Sequence, residues 1–325
     1  MNLTRRHTLA ALACTALSAL GSTAALAQAA YPAKTVTLVN NFPPGGPSDI
    51  LARSVAASLQ ESLKQSFIVE NKAGASGNIG AAQVAKSAPD GYTVLFGIDT
   101  AFTVNPHLYP SMPFKPGDLK PVVIMASSGL LIGTHPATGI KTFGDLLSKG
   151  RQKSLNFSSG GNGSPGHLAA AVLSNSTPVR ITHIPYKGNT PAVTAVLSGE
   201  VDGGILATPG MLPHVQAGKI NPLAVTSARR SQLAPQLPTV AELGLKALEL
   251  EVLYLVMVPA ATPDTVVQTL AKGINEALQR PDMKERMKSL DLFYEGLTGA
   301  AASKRLSDMQ QRYGAIVQST GMKAD

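Results

Sequence analysis

Cysteine and tryptophan are almost absent from this chain of 325 residues, which has one cysteine and no tryptophan. The cysteine, Cys14, lies in an N-terminal segment that we expect to be removed. The mature protein is therefore predicted to have no disulfide, no thiolate metal site and no cysteine nucleophile. Aromatic residues make up only 5% of the chain and no block of like charge is present, so few groups are available to bind nucleic acid. After Leu26 no apolar run reaches about 18 residues, so no membrane-spanning helix is predicted.

The N-terminus has the composition of a secretory signal peptide. A basic start, MNLTRRH, precedes an apolar stretch of small residues, and ALAQ offers a cleavage point after Ala27. The paired Arg5 and Arg6 leave open whether export precedes or follows folding. Residues 1–27 are predicted to be a signal peptide, and the mature protein is predicted to be exported and soluble.

Strand-like and helix-like segments alternate along the rest of the chain. TVTLVNN and SFIVEN are typical of buried strands, and each is followed by a segment with helical character, SDILARSVAASL and GAAQVAKSA. This alternation predicts an α/β architecture with mostly parallel sheets. Roughly 300 residues follow the signal peptide, which is large for one domain and predicts two lobes.

Three glycine-rich corners each stand between a predicted strand and a predicted helix, at residues 45–46, 74–80 and 160–166. Glycines let the backbone turn closely, and a helix that starts there directs bare N–H groups and a positive dipole end outward. Ligands of open α/β sheets bind at the carboxyl ends of strands, where these corners must lie. The pattern predicts that at least one corner binds an anion.

Enzyme motifs are incomplete. Residues 161–166 match G-x-G-x-x-G, but no acid stands between Asp145 and Glu200, where a dinucleotide fold places one for the ribose. No phosphate-binding G-x-x-x-x-G-K-[ST] occurs, and the histidines lack metal-ligand spacing, so we predict no cofactor and no metal. Asn162 occupies the first glycine position of a nucleophile elbow around Ser164, and a serine hydrolase at Ser164 is kept only as an alternative.

Several segments, in this order, resemble the Bug family of periplasmic substrate-binding proteins, the TctC-like receptors of tripartite tricarboxylate transporters. The similarity spans nearly the whole mature chain, and the segments that carry it are FPPGGPSDILAR, VENKAGASGNIGAAQVAKSAPDGYTVLFG, NPHLY, LNFSSGGNGSPGHLA, IPYKGNTPAVTAVLSGEVD, PLAVTSARRSQLAPQLPTVAELG and VPAATPDTVVQTL.

The resemblance implies a two-lobed Venus-flytrap fold, in which each lobe has a mixed, mostly parallel sheet flanked by helices. It implies that residues 28–125 and 253–325 form lobe 1, that residues 126–252 form lobe 2, and that PVVIMASSGLLI and LEVLYLVMVPA cross between them.

The function implied by the resemblance is non-enzymatic. A monomer in the periplasm would capture a small organic carboxylate between its lobes and deliver it to the integral membrane subunits of a tripartite transporter. The same fold would also suit a ligand sensor that docks on a receptor, and the sequence leaves this alternative open.

The family's ligand-binding residues map onto two loops of this chain and onto two further positions. The first-lobe positions are Phe42, Pro43, Gly45, Gly46, Ser48 and Asp49. The second-lobe positions are Ser158, Ser159, Gly161, Gly163, Ser164 and His167, to which Tyr186 and Asp202 are added. Glycine N–H groups, serine hydroxyls and two helix N-termini are suited to binding a carboxylate without an arginine.

Departures from the family pattern suggest which acid is bound. Members commonly have Trp-Phe-Gly where this chain has Leu253-Tyr254-Leu255, a His or Ser near the position of Phe102, and a second acid at the position of Leu206. A buried ammonium needs an acidic or acceptor partner. We therefore predict a ligand with a carboxylate at one end and an uncharged, partly apolar or aromatic body; Asp99, which would reverse this if it pointed into the cleft, is the residue to check.

Overall fold

The computed structural model describes residues 31–323, so the predicted signal peptide lies outside the described residues. A large sheet with its helices forms the first lobe, whose elements are β1 (Val36–Asn40), α1 (Pro47–Leu63), β2 (Phe67–Asn71), α2 (Asn78–Ala85), β3 (Thr93–Ile98), α3 (Thr100–Thr103), α4 (Asn105–Leu108), β4 (Leu119–Ser128), β10 (Val252–Pro259), α9 (Asp264–Gln279), α10 (Pro281–Ser289), β11 (Phe293–Leu297) and α11 (Gly299–Thr320). A small sheet with its helices forms the second lobe, whose elements are β5 (Leu130–Thr134), α5 (Phe143–Gln152), β6 (Leu155–Ser159), α6 (Pro165–Ser176), β7 (Ile181–Pro185), α7 (Asn189–Ser198), β8 (Gly203–Ala207), α8 (Thr208–Gln216) and β9 (Asn221–Val225).

Both sheets are mixed. In the large sheet the order is β11-β4-β10-β3-β1-β2; β1 pairs in parallel with β2 and β3, whereas β10 pairs antiparallel with β3 and β4. In the small sheet the order is β7-β6-β8-β5-β9; β6 is parallel to β7 and β8, and β5 is antiparallel to β8 and β9. The predicted two-lobed α/β fold with mixed, helix-flanked sheets is confirmed, but the sheets are not mostly parallel, because five of the nine strand pairings of the described residues are antiparallel.

The carboxyl ends of parallel strands determine where loops meet. β1 ends at Asn40 and leads into α1, while β6 ends at Ser159 and leads into α6. β10 is buried along its whole length in the interior of the large sheet, which explains its continuous apolar sequence VLYLVMVP. The strand ends, not the strand interiors, are therefore the places where polar groups of the two lobes can gather.

The chain passes from the large sheet to the small one at Gly129, the single residue between β4 and β5. A Cβ built on Gly129 would lie 2.5 Å from the backbone nitrogen of Ser227, so only glycine fits this crossing. Thr226 joins the crossing segments, because its hydroxyl accepts a hydrogen bond from Leu130 N (2.9 Å) and donates one to Leu250 O (2.8 Å). The lobe boundaries at residues 125 and 252 stay a prediction. In the structure β4 continues past residue 125 to Ser128 and remains part of the large sheet.

The C-terminal helix α11 secures the segment by which the chain returns to the large sheet. Arg305 forms ion pairs with Glu251 (2.6 Å) and with Glu295 (3.1 Å), and all three side chains are largely buried. The Tyr313 hydroxyl donates to Glu251 O at 2.6 Å. Between residues 31 and 323, no helix has both the length and the apolar character needed to cross a bilayer.

Candidate functional site

A cavity of about 140 Å³ lies where loops of the two lobes meet above the crossing strands β4 and β10. Five of the predicted binding residues line it: Phe42, Pro43, Gly46, Ser48 and Ser164. The volume is close to that of an engineered protein cavity of about 150 Å³ that holds benzene, so the site is suited to a ligand with a body of about six carbons.

Four helices start at this cavity. The N-cap residues of α1, α6, α7 and α8 are Gly46, Ser164, Gly188 and Ala207, and all four line the wall. No side chain caps the first turn of α1, α7 or α8, so their first N–H groups are not satisfied by a cap. Each helix N-terminus carries about half a positive charge, which makes the cavity a strongly favourable environment for an anion.

The rest of the wall is mostly apolar and carries no acid. Ile98, Leu206 and Val252 are among the side chains that line it, and Lys187 is the one charged side chain on the wall. Lys187 is exposed and therefore lies at the rim. A ligand ammonium would find no carboxylate on this wall.

Asn41 holds in place the loop between β1 and α1, residues 41–46, which we call the first loop. Its side-chain amide donates to Ile98 O and accepts from Ile98 N, each at 3.3 Å, which ties the end of β1 to the end of β3. A Cβ built on Gly97 would lie 1.8 Å from the Asn41 oxygen, so this approach requires glycine at position 97. Asn41 thereby fixes the neighbouring Phe42 on the cavity wall.

Asp49 supports the first loop from behind instead of lining the cavity. Its carboxylate accepts hydrogen bonds from Gly45 N (3.0 Å) and Asn71 Nδ2 (2.9 Å), and it pairs with Arg53 at 3.0 Å. Burial acts to raise the pKa of Asp49, but these hydrogen bonds outweigh it and hold the pKa below its usual value. Gly45, with φ +82°, is part of the same support and is likewise absent from the wall.

Serine hydroxyls hold in place the loop between β6 and α6, residues 160–164, which we call the second loop. Ser164 caps α6 by accepting from His167 N at 3.4 Å and donates to Ser159 Oγ at 3.2 Å, so its hydroxyl is not paired with an imidazole. Ser159 lies 2.6 Å from His183 Nε2, and Ser158 donates to Ala192 O at 3.0 Å; both serines are buried and lie off the cavity wall. A Ser-His nucleophile at Ser164, the alternative from the sequence, has no support in this geometry.

His167 lies behind the second loop. Its ring stacks on that of His183 with centroids 3.9 Å apart, and its Nδ1 accepts a hydrogen bond from Gly163 N at 3.1 Å. That hydrogen bond requires Nδ1 to be unprotonated. Burial lowers the pKa of His167 to about 4, so the neutral ring is the form that holds the loop.

His167 should make stability fall in mild acid. In the unfolded chain His167 becomes protonated below its pKa of 6.5, whereas in the folded protein it stays neutral until about pH 4. The folded protein therefore loses stability as the pH falls from 6.5 to about 4. At pH 5 the loss from this group is about 2 kcal/mol. Urea unfolding of wild type and His167→Gln at pH 7 and pH 5 measures it, with exposed His107→Gln as the control.

The comparison between variants is needed because another group acts in the opposite direction. Burial raises the pKa of Asp99 to about 6. The folded protein therefore binds this proton more readily than the unfolded chain, and its stability rises as the pH falls through the same range. A loss between pH 7 and pH 5 that is equal in wild type and His167→Gln would contradict the assignment to His167.

The remaining predicted residues lie away from the cavity wall. Tyr186 donates to Glu200 at 2.7 Å and, with Gly161, lines a groove outside the cavity. Asp202 accepts from Asn156 N at 2.8 Å, at the opposite end of β6 from the cavity. Their roles as ligand contacts stay predictions, and the geometry gives each of them a partner within the second lobe.

Three of the departures that the sequence singled out do not face the cavity. Phe102 packs edge-to-face on Phe114, with centroids 5.8 Å apart, and Leu253 and Leu255 point away from the wall that carries Tyr254. Asp99 accepts from Leu253 N (2.9 Å) and from the Thr103 hydroxyl (2.7 Å), so it braces the crossing strand and does not reach the cavity.

The lobes are in contact around the cavity, so this is a closed arrangement. The hydroxyls of Ser76 and Tyr109, both in the first lobe, donate to the carbonyl oxygen of Asn162 in the second; the Tyr109 bond is 3.4 Å long. Gly163 lies beside this contact, where a Cβ would come within 2.9 Å of Asn105 Oδ1. Ala75 and Ser76, beside this contact, have φ of 46° and 47°, a costly conformation for residues other than glycine.

Sequence reasoning missed the part of the wall that comes from α7, α8 and the crossing strands. Gly188 and Asn189, which open α7, and Ser128 and Tyr254, on β4 and β10, all line the cavity. The glycine before Asn189 was a usable signal, since it marks another strand-to-helix corner. Nothing local indicated Ser128, at the end of β4, or Tyr254, which lies in the continuously apolar β10.

Two lobes built on mixed sheets, joined by crossing strands and closed over one cavity, define a periplasmic binding protein fold. A family model described as "Tripartite tricarboxylate transporter family receptor" (TctC) matches residues 51–322. The chain belongs to this family, and the resemblance seen in the sequence is confirmed. Protein BugT of Bordetella pertussis is 35% identical over 332 aligned residues, which cover 99% of each chain.

Solved structures of similar proteins contain small acids. R. palustris Rpa4515 with adipate is 32% identical, with a TM-score of 0.86 over 90% of this chain and 99% of that one. MatC (Rpa3494) from Rhodopseudomonas palustris with bound malate is 26% identical, with a TM-score of 0.80 over 89% of this chain and 100% of that one. The family thus consists of solute-binding proteins, some of which have been seen with carboxylates.

Proposed function

We propose that this protein captures a small organic carboxylate in the cavity between its lobes and delivers it, in the periplasm, to the membrane subunits of a tripartite tricarboxylate transporter. The observation that carries the proposal is the convergence of four helix N-termini on one closed cavity. Membership of a family of transporter receptors supports the delivery step.

The carboxylate is bound by backbone groups. The proposed contacts are N–H groups in the first turns of the helices that follow Gly46 in the first lobe and Ser164 and Gly188 in the second, with the Ser48 hydroxyl as a further donor. Hydrogen bonds to a charged group contribute about 1.5–3 kcal/mol each. Three or four of them, less the cost of ordering, reach a binding free energy of about −8 kcal/mol, which is a micromolar Kd.

The body of the ligand is uncharged. Apolar side chains such as Ile98, Leu206 and Val252 line the cavity, no acid faces it, and Lys187 is at its rim. A citrate-like ligand would leave two further carboxylates against apolar wall, which costs several kcal/mol for each unpaired charge. We therefore propose an acid with one carboxylate head, in preference to an amino acid or citrate.

Isothermal titration calorimetry against a panel of acids tests the proposal. Simple aliphatic and benzoate-like acids are expected to bind in the micromolar range, and aspartate, glutamate and citrate at least about tenfold more weakly. The absence of binding by every mono-, di- and tricarboxylate would overturn the proposal. Tighter binding of aspartate, glutamate or citrate would overturn the assignment of an uncharged body.

A further inference from the structure

Two hydroxyl groups stand on the floor of the cavity, on the strands that cross between the lobes. Ser128 is the last residue of β4, and Tyr254 lies on the adjacent β10. Both residues line the cavity, both are at most 3% exposed, and their hydroxyl oxygens are 3.4 Å apart. The floor is therefore polar at one point, while its neighbours Ile98, Leu130 and Val252 are apolar.

The hydroxyl protons of Ser128 and Tyr254 cannot both be used within the pair, so one donor is left for the ligand. Two hydroxyls carry two donor protons, and the pair shares a single hydrogen bond. Among residues 31–323, no other partner lies within hydrogen-bond distance of either hydroxyl. One buried O–H therefore has no acceptor in the protein, and an unsatisfied buried donor is costly unless something in the cavity accepts it.

The surroundings of Tyr254 determine which acceptor is favoured. Burial, together with the negative charges of Asp99 and Asp291, raises the pKa of Tyr254 to about 12, so the phenol remains a donor at neutral pH. The same negative charges disfavour a second carboxylate at the floor, because no cation lies on this part of the wall. A neutral oxygen accepts the free proton without that repulsion.

We propose that Ser128 and Tyr254 select acids that carry a neutral oxygen, such as a hydroxyl, at the end remote from the carboxylate. The carboxylate lies at the four helix N-termini, the apolar wall covers the carbon chain, and the hydroxyl pair binds the terminal oxygen. This inference rests on the proposed function and adds to it the chemical class of the ligand.

Matched ligands isolate the terminal oxygen. Hexanoate, 6-hydroxyhexanoate and adipate have the same six-carbon chain and differ at one end, and four- and five-carbon sets extend the comparison to shorter bodies. At the length that binds most tightly, we expect wild type to prefer the hydroxy acid over the plain acid by about tenfold, the value of one good hydrogen bond. We expect it to bind the dicarboxylate more weakly than the hydroxy acid.

Matched variants assign that preference to the floor. The double variant Tyr254→Phe/Ser128→Ala removes both hydroxyls and should reduce the ratio between hydroxy acid and plain acid to about one, whereas either single variant leaves one hydroxyl and therefore one donor. Tyr294→Phe removes a hydroxyl from a side chain that is 43% exposed, and it should keep the wild-type ratio. Circular dichroism and thermal unfolding verify that each variant is folded.

The outcomes separate this inference from the proposed function. If acids bind but the double variant Tyr254→Phe/Ser128→Ala retains the wild-type ratio, or if wild type shows no preference for the hydroxy acid, this inference is overturned alone. Tighter binding of the dicarboxylate than of the hydroxy acid overturns the neutral-oxygen assignment. If no acid binds wild type at any length, the proposed function fails and this inference fails with it.

Discussion

Gly166→Ala should lower the free energy of unfolding by about 3 kcal/mol and weaken carboxylate binding by tenfold or more. Gly166 is the second residue of α6, and a Cβ there would lie 2.2 Å from the carbonyl oxygen of Ile205 on β8. That oxygen belongs to the backbone of a central strand and cannot swing away. The start of α6 must move instead, and its N–H groups move away from the proposed carboxylate position.

Gly144→Ala is a closely matched control. Gly144 is also the second residue of a helix, α5, and its nearest neighbour would be the Thr142 hydroxyl at 3.7 Å from the new Cβ. With room for the methyl group, this change should stabilise the protein by about 0.4–1 kcal/mol and leave binding unchanged. Urea unfolding and calorimetry of both variants provide the measurement. Equal effects of the two substitutions would contradict the close contact between α6 and β8.

Gly163→Ala should weaken ligand binding by about a hundredfold, because overpacking at the contact between the lobes costs about 1–3 kcal/mol and prevents closure. A Cβ on Gly163 would lie 2.9 Å from Asn105 Oδ1, 3.1 Å from Leu108 and 3.3 Å from the Ser76 hydroxyl, all in the first lobe. A fully formed site requires both lobes, so a variant that cannot close binds with half of its donors.

The control for Gly163 must share its backbone conformation. Gly163 has φ +78° and Gly218 has φ +69°, and nothing lies within 4 Å of a Cβ on Gly218. Both alanine variants should lose about 1 kcal/mol of stability through the left-handed backbone, and only Gly163→Ala should lose affinity. Small-angle scattering with saturating ligand should show compaction in wild type and Gly218→Ala alone. Equal affinities for the two variants would rule out the contact as a determinant of closure.

The sequence predicted structure correctly where the determining residues lie within one short segment. The corner after β1 combines a strand, two glycines and Pro47, and the corner after β6 has Ser164 as a helix cap. Both corners fold as strand–loop–helix units and both reach the cavity, where Gly46, Pro47 and Ser164 line the wall. The exclusion of an acid at Leu206 is likewise a local fact, and Leu206 lies on the wall.

Local signals were weaker where pairing with a distant strand creates the element. β11 was not predicted, because FYEGL is short, contains Gly296 and has no clear alternation of apolar and polar residues. It becomes a strand by pairing antiparallel with β4, more than 160 residues away in sequence. The resulting edge strand carries Glu295, which completes the ion pairs of Arg305.

The sequence alone determined the alternation of strands and helices, the two lobes, the absence of an acid at Leu206 and the two glycine corners, because each depends on spacing and residue type within a short segment. Only the tertiary structure decided which side chains face the ligand. On β10 every residue is buried, so no polar pattern marks the two faces, and the sequence favoured Leu253 and Leu255 where the structure places Val252 and Tyr254. His167 and Asp202 were likewise directed to other partners by contacts with Gly163 and Asn156 that form only in the folded chain.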